Sequence, residues 1–363
     1  MGGRCGYRTT RHGFRRLRFL LLTMCLGGSP ATLADTWRIT AVAGHPDVFR
    51  WVRMIPEAFT PALDRELARL GHRMVIDERF GGAIAGVGEE LETVGSGLAE
   101  IGICSAVFDP AKLALQNITY YTPFVSDDPI RLGEVIDALH RDDPRMTAAY
   151  AEHGVTYLGA PVLLDDYLLM TTAPVSSLDD LQGLRIAAPG PAVNWLSGTG
   201  AVGVSGNLTT YYNEIRTGVY DGVLVFATAA LPGKLHQVAP HIAQVGLGAQ
   251  FAAALCANVD WFARLPDDVR QALADAAHAA SRWYRTSLTS AAGEALDTMV
   301  EEGASLHRAS DRMRADWAAA MDDAAGRWVD ELERRGLPAA GFLAAYMEAM
   351  RAAGATPVRD WDR

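Results

Sequence analysis

The residues that could do chemistry are few, and their spacing is poor for it. His236 and His241 stand five apart, off the three- or four-residue step that puts two imidazoles on one helix face to hold a metal. They read as surface histidines. Asp165 and Asp166 have the right types for a general acid and base, but neighbours on an extended segment point to opposite faces, so at most one can enter a cleft. They read as a solvated loop pair. Gly198-Thr199-Gly200-Ala201-Val202-Gly203 spells a dinucleotide fingerprint; it follows a helical stretch, whereas the glycines of that motif work between a strand and a helix. The chain has no Gly-x-Ser-x-Gly elbow, no His-Glu-x-x-His, no Walker loop and no Cys-x-x-Cys. Catalysis therefore finds no support, and neither a metal nor a cofactor is called for.

The elements that must position any functional residue alternate between β and α. Trp37 to Val42 alternates as a strand does, and Ala43-Gly44-His45-Pro46-Asp47 breaks it. A helix is expected from Val48 to about Leu70, then a strand at Met74 to Ile76, a loop at Gly81-Gly82, a helix from Glu89 to Leu98 and an apolar strand from Ala99 to Ala106. A second unit repeats the pattern between about residues 164 and 250: strands at Asp166 to Met170, Leu184 to Ala187 and Gly222 to Phe226, with helices at Ala192 to Gly198 and Tyr211 to Gly218. This predicts an α/β protein of two lobes. Residues 266–302 form the strongest helix signal, with Pro266 at the first turn, Asp267 and Asp268 complementing the dipole, and Gly303 as the stop. Such a helix would be about 55 Å long at 1.5 Å per residue, enough to span both lobes. Two further helices, Asp311–Arg335 and Pro338–Ala353, close the chain.

Composition sets the class. The 363 residues are 49% hydrophobic and 21% charged, with a net charge of −10. That excludes wholesale disorder, and the acidity argues against nucleic acid as a partner. Residues 1–34 read as an export signal: six arginines, no acid, the short apolar run Phe19 to Leu26, and a small-residue site ending at Ala34. The run is too short to span a membrane. Arg15-Arg16 hints at the twin-arginine route, but the following residues fit it poorly, so general secretion is expected. Met24 makes the stretch before Cys25 a poor lipid-attachment box. Without this segment the net charge moves from −10 to −16. Only Cys104 and Cys256 then remain, both in apolar runs; two buried free thiols are expected, with a single bridge as the alternative.

Residues 174–222 carry a family resemblance. Pro174-Val175-Ser176-Ser177-Leu178-Asp179-Asp180-Leu181-Gln182-Gly183-Leu184-Arg185-Ile186, Pro189-Gly190, Tyr212 and Thr217-Gly218-Val219-Tyr220-Asp221-Gly222 resemble the signature of the TRAP-transporter solute-binding proteins, the DctP family. Thr122-Pro123-Phe124 looks like its Leu-Pro-Phe segment, and Trp261-Phe262 with Leu265-Pro266-Asp267-Asp268-Val269 looks like the entry to its long connecting helix. The resemblance covers about residues 36–345. It implies a periplasmic, monomeric receptor, type II-like, with crossover strands between lobes that close on a small organic solute and deliver it to a permease of a small four-helix and a large twelve-helix subunit. The alternative is a secreted ligand sensor or enzyme on the same scaffold. The lobes are expected at 35–163 with about 252–290, and at 164–251 with about 291–345, leaving 346–363 as helix end and tail.

The departures from the family pattern bear on the solute. The family's carboxylate-binding arginine falls on Ala187, a second, less regular arginine on Tyr167, and the asparagine after Asp-Gly near Val225. Alanine cannot replace a guanidinium fork. Arg185, two positions earlier on the same strand face, is the remaining candidate for reaching a carboxylate. Expected cleft residues are His45 and Asp47 after the first strand, Ser105 and Phe108 after Cys104, and Tyr167, Arg185, Ala187, Asn207, Tyr211, Tyr212 and Phe226 in the second lobe. Asp221 reads as structural. A neutral, aromatic or amine-bearing solute fits this set better than a simple dicarboxylate.

Overall fold

The computed structural model describes residues 1–4, 6 and 36–363; the expected export segment lies largely outside the described residues. Among the described residues eleven strands are formed: β1 (Thr36–Ala43), β2 (Arg73–Phe80), β3 (Ile101–Ser105), β4 (Val155–Leu164), β5 (Tyr167–Thr171), β6 (Arg185–Ala188), β7 (Val202–Ser205), β8 (Gly222–Phe226), β9 (His241–Gln244), β10 (Gln250–Asn258) and β11 (Ser305–Arg308). They make two sheets, β2-β1-β3-β10-β4 and β11-β9-β5-β8-β6-β7, one per lobe. The central strands β3, β5, β8 and β10 are buried along their whole length. Their unbroken apolar runs therefore suit strands covered on both faces.

The chain passes between the sheets at two short crossings. One is Asp165-Asp166, between β4 and β5; the other is residues 245–249, between β9 and β10. Asp165 and Asp166 are not a solvated pair. Asp165 is 4% exposed and accepts hydrogen bonds from the Thr228 hydroxyl (2.5 Å) and amide (3.3 Å). Asp166 accepts from the Gly248 amide of the second crossing at 2.8 Å. The two carboxylates thus pin the first crossing to the segment after β8 and to the second crossing. Phe124, in the left-handed region at φ 64°, donates its amide to Leu247 O at 2.7 Å, which ties the Thr122-Pro123-Phe124 turn to that second crossing.

The helices depart from expectation at three places. The helix expected from Val48 starts at Arg50 and includes a wide π turn at Ile55–Phe59, where Pro56 has no amide to continue the ladder. The long helix breaks at Ser287 into Asp267–Thr286 and Leu288–Glu301. The first piece packs on the helix Thr60–Leu70 and on β4, and the second on Ala227–Ala230 and β11, so the rod bends as it passes from one sheet to the other. The helix expected at Asp311–Arg335 is also two, Asp311–Ala320 and Ala324–Arg334. The last helix, Ala339–Ala352, returns to pack on Pro129–Asp142.

Cys104 and Cys256 form a disulfide, so the expectation of free thiols is corrected. β10 runs antiparallel to β3 with Cys104 opposite Ala254 and Cys256 opposite Gly102, bringing the two Cα atoms to 6.0 Å. His236 is likewise not a surface residue. It is 4% exposed, and its Nε2 lies 2.6 Å from Glu302 Oε2, tying the turn before β9 to the end of the helix Leu288–Glu301. Among the described residues no helix is long and apolar enough to cross a membrane.

Candidate functional site

A cavity of about 50 Å³ lies between the two sheets. Its wall from the first lobe includes His45, Trp51, Ser105, Phe108 and Tyr120; its wall from the second includes Tyr167, Tyr211, Leu224, Val225 and Phe226. Four of them are placed by a strand end or the residues just after it. His45 follows β1, Ser105 ends β3, Tyr167 begins β5 and Phe226 ends β8. Ligands of open α/β sheets gather at such ends.

The walls are aromatic. The rings of Trp51 and Phe226 meet across the lobes at 5.6 Å. Trp51 stacks on Phe49 at 4.7 Å, and His45 meets the Trp51 ring edge-on at 5.5 Å. Tyr120 and Tyr167, one from each lobe, bring their hydroxyls to 3.3 Å, and Trp195 Nε1 donates across the lobes to Tyr120 O at 2.7 Å. Backbones also meet: a Cβ on Gly190 would lie 2.1 Å from Val107 O, so only glycine permits this closure at the Pro189-Gly190 turn.

Charge is absent from the described lining. No Arg, Lys, Asp or Glu is among it. Burial pushes His45 down to about 4, so its imidazole is neutral at neutral pH. Burial raises the phenols of Tyr120, Tyr167 and Tyr211, which stay protonated. The Nε2 of His45 and the hydroxyl of Tyr211 have no hydrogen-bond partner among the described residues.

Of the residues expected in the cleft, His45, Ser105, Phe108, Tyr167, Tyr211 and Phe226 line the cavity and five do not. Asp47 is exposed. Arg185 is exposed and gripped by Asp221 through Nε at 3.0 Å and Nη2 at 2.9 Å; sharing a strand face with Ala187 does not bring it inward, because β6 presents its first residue at the sheet's outer end. Ala187 is fully buried in the sheet, opposite Val204 and Val223. Asn207 is turned onto its own loop, accepting from the Thr209 amide and hydroxyl. Tyr212 lies under Arg216 instead. Trp51 and Tyr120 were not expected. Both sit on helices whose spacing is equally that of plain core, and only the meeting of two lobes turns them into a wall.

A profile of the bacterial extracellular solute-binding proteins, family 7, named DctP, matches residues 72–331. The chain belongs to this family. A comparison with curated protein sequences finds no match. Among solved structures, the DctP fold here is similar to DctP7 of Bordetella pertussis, an extracytoplasmic solute receptor binding pyroglutamic acid (TM-score 0.76, 19% identity, covering 86% of this chain and 99% of that one). It is also similar to a TRAP periplasmic solute-binding protein from Roseobacter denitrificans with bound β-D-glucuronate (TM-score 0.73, 18% identity, 88% and 99% covered). A third is the periplasmic ectoine-binding protein of the TeaABC TRAP transporter of Halomonas elongata (TM-score 0.72, 20% identity, 88% and 100% covered). As a DctP-family solute-binding protein, this chain holds its candidate site where the two lobes meet, and the family's members are receptors for small solutes.

Proposed function

We propose that this DctP-family protein is the extracytoplasmic receptor of a TRAP transporter whose solute is a small neutral, aromatic or amine-bearing molecule. It is exported by residues 1–34, works as a monomer without catalysis, and hands its solute to a permease of one small and one large membrane subunit. The observation that carries the solute class is the aromatic cavity with no charged side chain in its described lining. A dicarboxylate placed there would lose two hydration shells and find no cation in return, a cost of several kcal/mol per charge. A planar ring would instead find stacking faces on Trp51, Phe226 and Tyr167. That fold relatives bind pyroglutamic acid, β-D-glucuronate and ectoine supports a scaffold that accepts solutes other than simple dicarboxylates.

Thermal shift and calorimetry against simple dicarboxylates, amines and neutral ring compounds test the proposal. A neutral or amine-bearing solute is expected to stabilise the protein by about 2.7 kcal/mol at a hundredfold excess over its Kd and to be recovered unchanged. Tight binding of succinate or malate in preference to these would reject it.

A further inference from the structure

A single carboxylate behind the cavity seats the polar residues of the first-lobe wall. Glu90 is 1% exposed. Its Oε1 accepts from the Gly44 amide at 3.0 Å and from the Ser105 hydroxyl at 3.4 Å, and its Oε2 accepts from the Gly88 amide at 2.8 Å. Gly44 immediately precedes His45. A Cβ on Gly44 would lie 2.6 Å from Glu90 Oε1, so the loop carrying His45 approaches the carboxylate as closely as glycine allows. Gly88 packs against Phe108, where a Cβ would lie 3.1 Å from the Phe108 Cβ. Three lining residues, His45, Ser105 and Phe108, are thus arranged around one acid that does not itself line the cavity.

The acid has no counter-ion among the described ion pairs. Asp109, the charged group facing it, is held by Lys112 at 3.2 Å, and Lys112 also reaches Glu92 at 2.7 Å. His45, from the loop packed on it, is neutral, and Glu89 turns its carboxylate onto the Gly86 amide. Neutral donors alone satisfy Glu90. An ionised carboxylate only accepts, so the 3.4 Å contact between them is made only with the Ser105 hydroxyl donating to Glu90, which leaves its lone pairs to the cavity.

We propose, on the reading that this cavity is the solute site, that Glu90 is a positioning residue that holds Ser105 as a hydrogen-bond acceptor, so that the receptor selects solutes presenting an N–H or O–H there. Burial pushes Glu90 up to about 7, against the pull of its backbone hydrogen bonds. Below that point the carboxyl gains its own proton, Ser105 is released to donate, and the selection fades.

The test uses matched pairs differing only in the donor: 2-pyrrolidinone against N-methyl-2-pyrrolidinone, and benzamide against N,N-dimethylbenzamide. Affinities are measured by calorimetry at about pH 8 and about pH 5.5, which bracket the titration. The N–H member is expected to bind about tenfold tighter at the higher pH, the worth of one hydrogen bond. The preference should shrink at the lower pH, vanish in Ser105→Ala, and lose its pH dependence in Glu90→Gln. A purely structural strut would weaken both members of each pair alike. If both members bind equally in the wild type, or the preference survives Ser105→Ala, the inference is overturned while the solute reading stands. If no member of either pair binds at any pH, the reading of the cavity as a site for neutral solutes fails, and the inference fails with it.

Discussion

Reducing the Cys104–Cys256 bridge should cost this protein a large part of its stability. The bond closes a loop of sequence separation 152, and the chain-entropy relation puts the constraint on the unfolded chain at about 5 kcal/mol. Measured losses run smaller, and here β3 and β10 stay paired by their own ladder, so a loss of about 2–5 kcal/mol is expected. Both cysteines are fully buried, and a Cys104→Ala/Cys256→Ala double variant removes the bridge at little cost in volume. Urea unfolding followed by tryptophan fluorescence is the assay. The midpoint should fall on adding reductant to the wild type and should not move for the double variant. Alkylation of unreduced, unfolded protein should label neither cysteine. Equal midpoints with and without reductant, or full labelling before reduction, would refute the reasoning.

Other perturbations probe the cleft and the crossings. Arg185→Ala should leave both solute affinity and the melting temperature essentially unchanged, since the pair with Asp221 is solvent-exposed; calorimetry and melting read both. Trp51→Ala removes the ring that spans His45, Phe49 and Phe226, and should cost about 3 kcal/mol in stability together with most of the solute affinity. Burial pushes Asp165 up to about 6 and Asp166 up to about 7. With raised folded values, the native state holds these protons more tightly than the unfolded chain. The stability they contribute is therefore complete below about pH 4 and lost as pH rises to about 7, on the order of 3 kcal/mol for Asp165 alone. Melting should thus improve on mild acidification, and Asp165→Asn should flatten the profile; a wild-type melting temperature independent of pH across that window would count against it.

Much of the architecture is local and could be read in order along the chain. β1, β5, β6 and β8 are alternating or continuous apolar runs between glycine and proline breaks, and those signals live within a few residues. Helix ends were harder. Ser287 and Met321 break helices whose periodicity continues through them, because each piece packs on a different partner. Similarity of residues 174–222 to the family motif pointed to a solute receptor, yet it also directed attention to Arg185, Ala187 and Tyr212, which lie off the cavity.

By itself the sequence determined the class: an acidic α/β protein of two lobes with a basic N-terminal stretch and none of the common catalytic or metal motifs, because composition, periodicity and motif spacing are all properties of the linear chain. The tertiary structure decided which of many aromatic residues form a wall, that Cys104 meets Cys256, that Asp165 is buried and Asp166 bonded to Gly248 at a crossing, and that Glu90 stands behind Ser105. These meetings join residues from 15 positions apart, at Glu90 and Ser105, to 152 apart, at the two cysteines, some within one sheet and some between the two, and they are set by the pairing of strands and the closure of lobes, for which no window of neighbouring residues carries a signal.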